Sequence, residues 1–254
     1  MSPDTMIERP SPNRGPRRGG RRPDLVILHY TGMRTAEAAL ARLCDPRARV
    51  SAHYLIDEAG TLYRLVDEAA RAWHAGLSAW EGESDVNSRS IGIELHNPGH
   101  EFGYRPFPEA QIVRLITLLR QIVSRHDIRP WHILGHSDVA PGRKQDPGEL
   151  FPWQRLAAAG LGLWPTPAPV AAPPPIAKVQ EMLHRFGYRI PRHGRADKAT
   201  RTVVAAFQRH WRPHMIDGVA DGETVAILRG LLSDISARAS ADDGPSTMRQ
   251  GDRG

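Results

Sequence analysis

Residues 135–148 read GHSDVAPGRKQDPG, and the chain can be read outward from them. A histidine, a lysine and two aspartates share one short stretch in which Pro141, Gly142, Pro147 and Gly148 break both helical and strand periodicity. A segment with no backbone ladder of its own needs another anchor. A metal ion held by His136 and Asp146 would supply it, with Lys144 placing a cation alongside. A site needs a third ligand, and the best candidate is His29. It ends the apolar run Leu25-Val26-Ile27-Leu28 and so stands at the tip of a buried strand, where α/β proteins tend to place their chemistry. Two histidines and one aspartate leave the fourth position of a tetrahedral zinc ion open, which is the pattern of a catalytic site rather than a closed structural one.

The neighbouring segments fit an α/β domain. Strands are expected at 24–31, 50–56, 61–66 and 90–96, the middle two forming a hairpin across the Asp57–Gly60 turn. A short helix is expected at 35–43, and another at 152–159. The longest helix covers 108–127, because Ile112, Leu115, Ile116, Leu119, Ile122 and Val123 recur at helical spacing. After Trp164 the composition turns to PTPAPVAAPPP, a stiff linker over 165–175. Three helical patterns follow at 176–186, 197–211 and 221–232, with Asp197 and Asp221 as N-caps. The expected fold is therefore a mixed central sheet flanked by helices, over residues 23–164, plus a small three-helix domain at 176–233. A basic arm at 1–22 and a polar tail at 234–254 read as disordered. Because the linker separates two expected cores, a chain cut after residue 169 is expected to fold.

The 254 residues carry a net charge of +6 and a pI near 10.0, which raises the question of nucleic acid. Only Lys144, Lys178 and Lys198 are lysines among 34 basic residues, and the arginines are scattered rather than interleaved with aromatics, so no nucleic-acid partner is expected. No apolar run approaches the roughly 18–20 residues of a membrane span, and the first thirty residues carry no export signal, so a cytoplasmic, membrane-free monomer is the expectation. The lone Cys44 excludes an internal disulfide and reads as core. His132 and His136 have zincin spacing, but Ile133 stands where the catalytic glutamate belongs. His53 reads as a wall or core histidine, with metal ligation as the minor alternative, and Asp138 as a brace for the loop.

The chain resembles the zinc-dependent N-acetylmuramoyl-L-alanine amidases, which share a fold with phage lysozyme-type amidases and peptidoglycan recognition proteins. The resemblance rests on VILHYT around His29, SAHYLI around His53, WHAG around His74, SIGIEL around Glu94 and the 135–148 stretch, all in family order. It implies zinc on His29, His136 and Asp146, Glu94 as catalytic acid/base and Lys144 as the oxyanion-stabilising residue. Without it, Glu94 reads equally well as a buried salt-bridge partner. Trp73 and His74 form a plausible substrate wall, and Arg49 a partner for a peptide carboxylate. The C-terminal unit resembles the type 1 peptidoglycan-binding domain through VQEMLHRFGY, the turn at 197–200, VVAAFQ and DGVADGET.

The expected activity is hydrolysis of the bond between N-acetylmuramic acid, or its 1,6-anhydro form, and L-alanine. A cytoplasmic enzyme meets soluble muropeptides, which points to peptidoglycan recycling. The alternatives are a periplasmic enzyme acting on intact peptidoglycan, if a leader is missing from the chain, and a recognition protein that binds without hydrolysis.

Overall fold

The computed structural model describes residues 6–165 and 172–242. Two short strands, β1 (Met6–Glu8) and β2 (Arg14–Pro16), precede the central strand β3 (Leu25–Tyr30). After helix α1 (Ala36–Cys44) come β4 (Tyr54–Ile56), β5 (Leu62–Arg64) and β6 (Ala70–Ala72), then the single-turn α2 (Val86–Arg89) and β7 (Ser90–Leu95). The short α3 (Gly99–Phe102) and the long α4 (Glu109–His126) lead to β8 (Ile133–Gly135). That strand passes directly into α5 (His136–Val139), and α6 (Trp153–Ala158) follows. The C-terminal part consists of α7 (Ile176–Phe186), α8 (Lys198–Trp211) and α9 (Gly222–Asp242).

Six strands form one sheet in the order β1-β5-β4-β7-β3-β8, and a two-stranded sheet joins β2 to β6. The large sheet is mixed: β4 and β5 make the expected antiparallel hairpin, while the other neighbours run parallel. Leu25 to Leu28 are fully buried because β3 is covered on both faces, which is why its sequence is a continuous apolar run rather than an alternation. Val26 and Leu28 face α4, packing with Ile112, Leu115 and Leu119. Leu25 and Ile27 belong to the other face, in one cluster with Trp80, Val139 and Phe186, Phe207 and Leu228 of the C-terminal helices. Register then positions the site. Leu25 pairs with Ser90 and His29 with Glu94, while Leu28 pairs with Gly135, so three parallel strands end together.

Four expectations are corrected. The arm is ordered over 6–22: β1 and β2 pair into sheets, and Arg17 is 7% exposed, donating to the carbonyls of Glu68, Asn87, Ser88 and Ser90. Its arginine content looked like solvation, but one of those arginines is a buried staple. Residues 136–139 form a helical turn where only loop was expected. Helix α9 runs on to Asp242 instead of ending near 232, with Ile235 packed against the core. The two expected cores are one, since the cluster just described spans both parts of the chain. Cys44 is half-buried, its thiol 3.4 Å from the Arg9 carbonyl. Residues 1–5, most of the linker (166–171) and 243–254 lie outside the described residues.

Candidate active site

His29 is the penultimate residue of β3, His136 opens α5 straight after β8, and Asp146 follows in the loop, where Ser137 N–H donates to its carbonyl at 2.9 Å. Their side chains converge. His29 Nδ1 lies 2.9 Å from His136 Nδ1 and 2.9 Å from Asp146 Oδ2, and His136 Nδ1 lies 3.0 Å from the same oxygen. All three residues are buried, and their donor atoms form a group that can hold a metal ion.

The proton positions follow from hydrogen-bond logic. A carbonyl only accepts, so Ser90 Oγ–H donates to Val86 O at 2.6 Å. Its oxygen then accepts from His74 Nε2–H at 3.2 Å, which leaves His74 Nδ1 bare to accept from His29 Nε2–H at 3.0 Å. His29 Nδ1 therefore directs a lone pair into the cluster. His136 Nε2 lies 3.0 Å from Ala75 O, which only accepts, and 3.2 Å from Arg143 Nη2, which only donates; with its proton directed to the carbonyl, its Nδ1 does the same. Burial, reinforced by His136, lowers His29 to a pKa of about 4, and burial with His29 nearby puts His74 well below its ordinary value. Two imidazole lone pairs and a carboxylate in mutual contact repel one another unless a cation sits among them.

Beside this cluster is a cavity of about 380 Å³, within the size range of small-ligand sites. Glu94 and Lys144 both line it. Glu94 Oε2 is shielded and has no hydrogen-bond partner among the described residues, and burial together with the charge of Asp146 raises its pKa well above the ordinary carboxylate value, against a smaller opposing pull from Lys144. A carboxyl that holds its proton this readily is suited to general acid/base work.

Trp73 lines the cavity. His74 lines it too, but both of its nitrogens are engaged by His29 and Ser90. Arg49 is not brought to the site: it is exposed, with a left-handed φ of 51° at the end of the 46–48 turn, and Arg42 and Arg143 line the cavity instead. Arg89 is buried against Asp24 and Glu81. His53 stays out of the metal cluster, since its Nδ1 accepts from Gly92 N–H at 2.9 Å and its Nε2 faces Ala70 O and Arg17. Asp138 braces the loop by accepting from Gly135 N–H at 2.8 Å. Reading the sequence missed Arg143, which adjoins Lys144 and donates to the carbonyls of Leu77 and Ala75, and Ser90, which opens SIGIEL.

This mixed sheet, carrying a histidine-histidine-aspartate cluster at its strand ends, is the core of an amidase. The chain belongs to the N-acetylmuramoyl-L-alanine amidase family, whose model matches residues 19–149; a second model, for a putative peptidoglycan binding domain, matches residues 173–228. It is 40% identical over 229 residues to the N-acetylmuramoyl-L-alanine amidase AmiD of Escherichia coli K12, covering 82% of each chain. The solved complex of AmiD with anhydro-N-acetylmuramic acid-L-Ala-D-gamma-Glu-L-Lys superposes with a TM-score of 0.76 at 38% identity, over 87% of this chain and 93% of that one. AmpDh3 from Pseudomonas aeruginosa, solved with an anhydromuramic pentapeptide, gives 0.77 at 33% identity over 87% and 96%. The 1,6-anhydro-N-acetylmuramyl-L-alanine amidase AmpD of E. coli K12 is 32% identical over 164 residues, 58% of this chain and 87% of its own.

Proposed function

We propose that this amidase uses zinc held by His29, His136 and Asp146 to hydrolyse the amide between 1,6-anhydro-N-acetylmuramic acid and L-alanine in muropeptides, as a step of peptidoglycan recycling. The observation that carries the proposal is the convergence of three lone pairs beside a cavity that also holds Glu94 and Lys144. Two neutral imidazoles and one carboxylate are a zinc donor set with a position left for solvent or substrate. Zinc bound there supplies an acidified water and polarises the scissile carbonyl.

The remaining roles fall to the chain itself. Glu94 takes a proton from the attacking water and hands it to the leaving amine, which its raised pKa favours. Lys144 places its charge toward the oxygen on which negative charge develops. Trp73, which lines the cavity, serves as a wall for the sugar or lactyl-peptide, and Arg42 and Arg143, which also line it, meet peptide carboxylates. The complete donor set weighs against a recognition protein without catalysis. Support for the anhydro substrate comes from the names of the AmpD relatives and from the two complexes.

A second reading, action on the intact wall, is favoured by the peptidoglycan-binding match at 173–228. Mass spectrometry of digests, with soluble anhydro-muropeptides and intact sacculi as parallel substrates and chelator-treated controls, separates the two. Release of L-alanyl peptides from the soluble substrate, abolished by chelator and restored by zinc, is expected. Faster turnover of sacculi, with recovery of the native enzyme in the envelope fraction, overturns the recycling role. Full activity and stoichiometric zinc in His29→Ala overturn the ligand assignment.

A further inference from the structure

Asp138 does more than cap a turn. Its carboxylate is buried among three donors: Gly135 N–H to Oδ2 at 2.8 Å, His210 Nδ1 to Oδ2 at 2.7 Å and Tyr188 O–H to Oδ1 at 2.6 Å. One backbone bond is enough for a cap. The other two donors lie 50 and 72 residues further along the chain, both within the stretch matched to a peptidoglycan-binding domain. Asp138, Tyr188 and His210 are 1%, 0% and 3% exposed, so no solvent competes for these bonds. His210 is itself fixed, its ring stacked 3.6 Å from Trp153 and 3.5 Å from Trp211. A backbone bond from Glu81 N–H to Gly187 O at 2.8 Å also crosses the junction, while Ala79 N–H to Val139 O at 2.8 Å ties α5 to the 75–81 loop within the first part.

The position of Asp138 gives these bonds their consequence. It lies two residues after His136, on the single turn of α5, and Ser137 N–H holds the carbonyl of Asp146. A shift of that turn therefore moves both ligands, together with Lys144, whose N–H is bonded to Ala140 O at 3.1 Å. Metal and catalytic groups tolerate displacements of only about 0.5 Å before function suffers.

We infer that Asp138, gripped by Tyr188 and His210, is a positioning residue that sets the metal-binding loop, so that the C-terminal helices are a working part of the active site and not only an appended wall-binding unit. The inference rests on the zinc reading given above. Groups that orient metal ligands from outside cost 10–100-fold in metal affinity when removed, and because Asp138 acts through backbone the expected loss is at the lower end, about tenfold.

The test is zinc affinity of full-length chains by chelator competition, together with the visible spectrum of the cobalt form. Tyr188→Phe keeps the ring and deletes one hydrogen bond; it should lose about tenfold in zinc affinity and alter the cobalt bands, with kcat lowered and KM for the smallest muropeptide unchanged. His210→Ala should behave alike, whereas His210→Asn, whose amide can take the place of Nδ1–H, should recover most of the affinity. Val225→Ala, a cavity elsewhere in the same helices, controls for loss of stability and should leave affinity at the parental value. Parental affinity in both Tyr188→Phe and His210→Ala overturns this inference alone, and so does an equal loss in Val225→Ala. A parent chain that binds no zinc overturns the zinc reading as well.

Discussion

Replacing Gly92 with alanine tests the histidine relay behind the metal cluster. A Cβ at this position would stand 2.3 Å from His74 Cγ and 2.6 Å from its Nδ1, more than 1 Å inside an ordinary carbon contact of about 3.5 Å. Neither side yields easily. Strand β7 is pinned between β4 and β3, while His74 is bonded to His29 on one side and Ser90 on the other, with the His53 ring 5.8 Å away. The ring is the softer partner, and a retreat of about 1 Å takes the 3.0 Å bond to His29 beyond hydrogen-bonding range. For stability the terms partly offset: alanine gains about 0.5–1 kcal/mol over glycine in a strand, and overpacking costs about 1–3 kcal/mol, leaving a net cost on the order of 1 kcal/mol. For the metal they do not, since loss of the partner that fixes a ligand's tautomer costs about 10–100-fold in affinity. Gly92→Ala should therefore melt within a few degrees of the parent in the metal-free state, yet bind zinc at least tenfold more weakly by chelator competition. Combined with His74→Ala, which removes the clash and the partner together, it should cost nothing further. A folded Gly92→Ala chain with parental zinc affinity refutes the relay.

Glu94→Gln should retain one zinc per chain by elemental analysis and lose nearly all turnover; Lys144→Ala, also zinc-replete, should lose about 10²–10³ in kcat. Glu68 tests linkage. Burial opposes its ionisation, but hydrogen bonds from Arg125, Tyr54 and His126 outweigh it and lower its pKa from 4.5 to about 2. A depressed folded pKa stabilises above the unfolded value and is lost as pH falls through the folded one. Denaturant midpoints of Glu68→Gln should thus trail the parent by on the order of 2–3 kcal/mol at pH 7, with the gap narrowing below about pH 4.5. A gap that stays constant down to pH 3 counts against it. Truncation after residue 165 should give an aggregating chain with weakened zinc binding, because uncovering Trp80 alone, at roughly 200 Å² and 25 cal/mol/Å², forfeits about 5 kcal/mol. A soluble, cooperatively melting fragment with full turnover on the smallest muropeptide refutes that expectation.

The histidine-histidine-aspartate cluster was legible because its chemistry is local. His29 announced itself as the polar end of an apolar strand, and the 135–148 stretch carried more ligand and cation types than a turn requires. Long helices and strands were legible for the same reason, since periodicity at 109–126 or a run such as 25–28 is a property of neighbours in sequence. The roles of His74 and Arg17 were not. WHAG placed His74 near the site, but its work for His29 depends on Gly92 leaving room and on Ser90 orienting its far nitrogen. Arg17 sat in a run of arginines that looks solvated until four carbonyls from residues 68–90 are found around it. Arg49 failed for the opposite reason: proximity in sequence to the SAHYLI strand suggested a site residue, and a left-handed turn carried it out to solvent.

The junction between the two parts is the hardest feature to read from residues alone, and the relatives show why. AmpD of E. coli aligns with 58% of this chain over 87% of its own length, so most of that relative is matched by only part of this chain. A proline-rich spacer ahead of an autonomous module is accordingly the natural reading of 165–175. In this chain the face that such a module would leave bare carries Trp80, 1% exposed, with Phe186 and Tyr188 edge-on to its ring at 5.9 and 5.0 Å. Gly187 lies so close that a Cβ there would be 2.4 Å from the indole. An apolar side chain this large is left on a surface only when something covers it. Here the covering helices also supply Tyr188 and His210 to Asp138, so the packing that hides Trp80 and the bonds that steady the metal loop come from the same few residues. Such dual use ties the two parts together more tightly than burial alone, since a substitution at Phe186 or Tyr188 that loosens the packing also frees the loop that carries His136 and Asp146.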